Sequence, residues 1–101
     1  MNKISMLFEN YPFRLVIVNI DSKEMSIEDK VFQIEENDIR QLLEIVSTLS
    51  NDRNKFILDP VKFTINAYKN GEKIIFDGNS NTCSKFYELS DWIGEMYDKY
   101  N

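Results

Sequence analysis

From Val61 to Asp77 the chain reads VKFTINAYKNGEKIIFD. Apolar Val61, Phe63, Ile65 and Ala67 alternate with polar Lys62, Thr64 and Asn66. That period of two belongs to a strand with one buried face. Asn70-Gly71 follows, a dipeptide suited to the positive φ angles of a two-residue hairpin turn. Closing the chain there sets Ala67 opposite Ile74, Ile65 opposite Phe76, Tyr68 opposite Lys73 and Thr64 opposite Asp77. Turn chemistry and alternation agree on a hairpin.

Upstream, Phe13 to Ile20 (FRLVIVNI) is rich in β-branched residues and carries apolar side chains on both alternating faces, as a central strand or one covered on both sides does. Asp21-Ser22-Lys23-Glu24 is a loop of hairpin length, and a second strand begins near Met25 and includes Ile27. The apolar phase then changes around Glu28-Asp29-Lys30, which requires either a β-bulge or a break between two shorter strands. Residues 1–11 contain Ile4, Met6, Leu7 and Phe8 before Pro12; a short helical turn and an edge strand are equally compatible with them. A helix follows, with Asn37 as N-cap, Glu35, Glu36 and Asp38 at the positive end of its dipole, and a stripe of Ile39, Leu42, Leu43, Val46 and Leu49. Residues 51–60 form a loop. Ser80, Asn81 or Thr82 caps a last helix reaching Tyr100, with the stripe Phe86, Leu89, Ile93, Met96 and Tyr100. The predicted architecture is a single α+β domain over residues 1–101. Its order is β-β-α-β-β-α, with a mostly antiparallel four-stranded sheet and two helices packed on one face.

Composition narrows the chemistry. The 101 residues include no histidine and a single cysteine, Cys83. The commonest general acid–base group near neutral pH is therefore absent, and with it every Ser-His-Asp or Cys-His arrangement within the chain. A disulfide within the chain and a cysteine-based zinc site are excluded too. There is no glycine-rich phosphate loop and no calcium-loop pattern. The expectation is a protein that is not an enzyme, with no catalytic residue, metal ligand or cofactor. The N-terminal segment lacks the apolar core of a signal peptide and Phe13–Ile20 is too short to span a bilayer, so a cytoplasmic protein without membrane contact is expected.

Charge supplies the remaining signal. The net charge is −5. Residues 21–44 hold eight acids (Asp21, Glu24, Glu28, Asp29, Glu35, Glu36, Asp38 and Glu44) against three bases (Lys23, Lys30 and Arg40), and the rest of the chain is balanced. Glu88, Asp91, Glu95 and Asp98 recur at spacings of 3, 4 and 3, one stripe of the last helix, with Trp92 on its border as an interface anchor. The polar face of the hairpin, with Tyr68 between lysines, has too few aromatics for a stacking platform. An acidic pI near 4.7 also opposes phosphate binding, so direct nucleic-acid binding is not expected.

In size, acidity and lack of catalytic groups the chain is similar in character, though not by motif, to bacterial toxin-immunity proteins and to phage-encoded inhibitors that mimic nucleic acid. Either likeness implies a protein that occludes a basic partner, such as the nuclease-type domain of a cognate toxin. The candidate contacts are Glu24, Glu28, Asp29, Glu35, Glu36, Asp38, Glu88, Asp91, Trp92, Glu95 and Asp98. The alternative is a structural or regulatory subunit that assembles through its sheet or an apolar patch.

Overall fold

The computed structural model describes residues 2–100. Its elements are β1 (Lys3–Glu9), β2 (Leu15–Asn19), β3 (Glu24–Ile27), β4 (Lys30–Gln33), α1 (Glu36–Ser47), β5 (Lys62–Lys69), β6 (Glu72–Asn79) and α2 (Phe86–Tyr100). The fold is α+β with an antiparallel sheet and two helices. The sheet has six strands rather than the four read from the sequence, in the order β4-β3-β2-β1-β5-β6.

The first additional strand is β1, at the centre. It pairs with β2 on one side and with β5 on the other, from Lys3↔Tyr68 to Glu9↔Lys62. The segment that sequence left open between a helical turn and an edge strand is therefore neither. Ile4, Met6 and Phe8 point into the core and are fully buried, while Leu7 lies on the opposite face and is half exposed. Its apolar side chain there is what obscured the alternation. The second additional strand comes from the phase change at Glu28. Glu28 adopts φ 56°, and Ile27 pairs with Lys30 across a two-residue turn, so β3 and β4 are two short strands.

The Val61–Asp77 hairpin forms in the expected register, with Ala67↔Ile74, Ile65↔Phe76, Tyr68↔Lys73 and Thr64↔Asp77. Asn70 and Gly71 take φ 51° and 85°, the left-handed pair that such a turn requires.

Both helix starts differ from expectation. α1 begins at Glu36 and its N-cap is Glu35, not Asn37. Asp38 at the third helical position accepts the Glu35 backbone N–H at 3.0 Å, the reciprocal contact of a capping box. Asn37 lies inside the first turn. α2 begins at Phe86, because residues 79–82 are held in a turn of their own: Asn79 Oδ1 accepts the backbone N–H groups of Asn81 and Thr82 at 2.8 and 3.1 Å. Asp52 then reaches from the 48–61 connection to accept the Ser84 N–H at 2.9 Å.

One apolar cluster joins the layers. Ile4, Met6, Phe8, Val16, Val18, Met25, Ile27, Phe63 and Ile65 from the sheet meet Ile39, Leu42, Phe86, Leu89, Trp92, Ile93 and Met96 from the helices. Of the α1 stripe, Ile39 and Leu42 are buried and Leu43 is exposed, Ile45 taking its place against the core. The other sheet face carries no helix and leaves Leu7, Leu15, Val31 and Ile75 in water.

Candidate binding surface on the helical layer

Burial divides the candidate residues. Trp92, expected as an exposed anchor, is 3% exposed, and its Nε1–H donates to the backbone oxygen of Asp38 at 3.0 Å. Asp38, expected at the surface, is 4% exposed. Its carboxylate accepts from the Tyr100 hydroxyl at 2.5 Å and from Lys99 Nζ at 3.3 Å, besides capping α1. These two residues are corrections to the sequence reading. They fasten the start of α1 to the second half of α2 and are not available to a partner.

Burial alone would raise the pKa of Asp38. The hydrogen bonds from Tyr100, the Glu35 amide and Lys99 outweigh it, and the carboxyl titrates below its ordinary value. The same contacts raise Lys99, through its bond to Tyr100 first and the Asp38 carboxylate next. Tyr100 is raised by desolvation first and then by donating its hydroxyl to the Asp38 carboxylate, which favours the protonated phenol.

The other candidates are exposed and fall in three places. Glu24, Glu28 and Asp29 lie on the β3–β4 hairpin. There Glu28 accepts the backbone N–H of Arg14, and Lys23 and Lys30 are neighbours in the chain. Glu35 and Glu36 lie at the start of α1, where Lys99 pairs with Glu35 at 3.6 Å. Glu88, Asp91, Glu95 and Asp98 line the outer side of α2, with Glu88 paired to Lys85 at 3.1 Å. The acidic window of residues 21–44 is therefore divided between elements, its first half on the sheet and its second half on α1.

The structure supplies a different grouping. Residues 35–47 and 85–100, the helical layer, hold eight acids (Glu35, Glu36, Asp38, Glu44, Glu88, Asp91, Glu95 and Asp98) and three bases (Arg40, Lys85 and Lys99). That difference equals the whole formal net charge of −5, so sheet and connections together are balanced. Between the helices runs a groove of about 360 Å³ lined by Gln41, Glu44, Ile45, Glu88, Trp92 and Glu95, among others. Glu44 of α1 thus shares a site with Glu88 and Glu95 of α2. It stood in the acidic window of the sequence, but nothing local indicated which helix it would face.

A second, wider cleft of about 560 Å³ lies at the other side of the molecule, where Leu7, Glu9, Lys62, Thr64 and Asp77 meet Asn51. Its charges are mixed, with Lys62 beside Glu9 and Asp77, and Thr64 donates to Asp77 at 2.6 Å. Cys83 is buried and unpaired. Among the described residues, no group of three histidine, cysteine or acidic side chains is placed to hold a metal ion, and no helix is long and apolar enough to cross a membrane. No protein-family model, curated protein or solved structure matches the chain.

Proposed function

We propose that the protein is a small acidic binding protein whose helical layer occludes a basic partner protein. The form that fits this chemistry best is an immunity protein acting on a nuclease-type toxin. The observation that carries the reading is the gathering of the entire net charge on one layer, around a groove that both helices build.

A field of one sign on one side of a small molecule steers a basic partner and fixes its orientation before contact. Within contact, a lysine or arginine side chain lays its methylene stem along Ile45 while its charged end meets Glu44, Glu88 or Glu95. Carboxylates presented this way stand where phosphates would stand in a nuclease cleft. No histidine, metal or reacting nucleophile is needed, because occlusion alone inhibits.

The test begins with capture of a partner at low salt on the immobilised protein, followed by affinity measurements as a function of ionic strength. Reversing Glu44, Glu88 and Glu95 to lysine removes three surface attractions worth about 0.2–1 kcal/mol each and adds repulsion, so affinity falls roughly tenfold or more and its salt dependence flattens. Reversing Glu24, Glu28 and Asp29 on the β3–β4 hairpin leaves the affinity nearly unchanged. Equal binding by the parent and the groove variant, with an unchanged salt slope, overturns the reading.

A further inference from the structure

The free edge of β6 carries information that the helical layer does not use. In a hairpin closed by a two-residue turn, alternate residues exchange hydrogen bonds with the partner strand. The bond from Ser80 N–H to the Val61 oxygen, at 2.9 Å, fixes the phase. Glu72, Ile74, Phe76 and Gly78 turn their backbone groups toward β5, so Lys73, Ile75 and Asp77 turn theirs outward. Among the described residues these outward groups meet one partner, the Asn51 side-chain amide, which donates to the Asp77 oxygen at 3.1 Å.

The strand is also long and apolar for an edge. β6 has eight residues against four in β4 at the opposite edge. Ile74 is 62% exposed and Ile75 55% exposed, one on each face. Long apolar edges are ordinarily blunted by charge, proline or a bulge. Here the charges stand apart, with Lys73 on one side of Ile74-Ile75-Phe76 and Asp77 on the other. Read about Ile75, the stretch is complementary to itself when reversed.

We infer that two copies of the chain pair antiparallel through β6 about a two-fold axis at Ile75. Ile75 then faces its own copy, Ile74 faces Phe76, and each Lys73 faces the other copy's Asp77 on the open sheet face. A carbonyl oxygen accepts two hydrogen bonds, so the Asn51 contact on Asp77 persists beside the new ladder. The pairing closes at two copies, because only the four-residue β4 edges remain at the ends of the joined sheet. It leaves both helical layers uncovered on one side of that sheet and is independent of what they bind.

The charge pair and the register give separate tests, read by sedimentation of the whole chain from micromolar to about 1 mM. Lys73→Asp and Asp77→Lys alone each set like charges opposite one another and raise the dimer dissociation constant roughly tenfold; the double exchange restores it. Ile75→Cys forms an intermolecular disulfide on mild oxidation, since facing residues of a hydrogen-bonded pair lie about 5.5 Å apart, within disulfide range. Ile74→Cys, displaced by two residues from its own copy, does not. The native Cys83 is buried and does not compete. A monomer throughout the concentration range overturns the inference. So does a dimer that ignores both single charge changes, or one cross-linked at residue 74 and not at 75.

Discussion

Replacing Asp38 with alanine is the sharpest check on the difference between a structural and a binding carboxylate. Three donors lose their acceptor: the Glu35 backbone N–H, the Tyr100 hydroxyl and the Lys99 ammonium. The Glu35 amide loses its helix cap, at a cost of about 1 kcal/mol. Bonds to an ionised acceptor contribute about 1.5–3 kcal/mol, discounted here because Lys99 is solvent-exposed and recovers water. The loss is therefore about 2–4 kcal/mol, or roughly 10–20 °C in melting temperature for a domain of this size. Urea unfolding at pH 7 reads it directly.

The pH dependence has a definite sign. Because the folded carboxyl titrates below its ordinary value of 3.8, its stabilisation is complete above that value and is lost as pH falls through the lower folded one. The gap between parent and variant at pH 7 narrows in acid below about pH 4, by the part that the ionised form contributes. A variant within about 0.5 kcal/mol of the parent at pH 7, or a gap that does not narrow in acid, refutes the account. Asp38→Asn, which keeps the volume and removes the charge, should leave the affinity for a captured partner unaltered in whatever fraction remains folded. A lowered affinity in fully folded Asp38→Asn would return this residue to the binding surface.

Two further outcomes follow from the helices. Trp92→Phe removes the indole donor from the Asp38 oxygen and some buried area, lowering stability by about 1–2 kcal/mol in the same unfolding assay; since Trp92 is the only tryptophan, its fluorescence in the parent should resist a soluble quencher and change little on partner binding. Gly94→Ala places a Cβ with no atom within 4 Å in the interior of α2, and should stabilise the protein by about 0.5–1 kcal/mol, a loss of stability being the contrary result.

What the sequence disclosed was local. The β5–β6 hairpin was legible to the residue because a two-residue turn and strict alternation constrain one another within a short span. β1 was not, although it is the centre of the sheet. Its role depends on partners such as Tyr68, whose pairing with Lys3 closes a very long loop, and no rule of spacing reports that. Leu7 on the uncovered face further hid the alternation of Ile4, Met6 and Phe8. Trp92 was misplaced for a related reason. A helical wheel puts it on a border, and only the position of α1 decides that the border is interior, with the Asp38 oxygen there to receive the indole N–H.

The distribution of charge has a physical cause that also explains why the acidic window of the sequence was the wrong unit. In an antiparallel sheet each charged side chain faces a neighbour across the ladder, and like charges opposite one another are destabilising. The pairs here obey this: Glu9 faces Lys62, and Lys69 faces Glu72. A sheet is thus drawn toward neutrality through its cross-strand pairs, whatever the protein does. The outer faces of two helices carry no such constraint beyond a few pairs such as Lys85–Glu88, and an excess of one sign can accumulate there at little cost to folding. Counting charge along the chain mixes these two environments, while counting it by layer separates what folding regulates from what it leaves free. On that count the exposed carboxylates around the interhelical groove are the part of the electrostatics that the pairing rule of the sheet does not constrain, and the part on which the proposed binding reading rests.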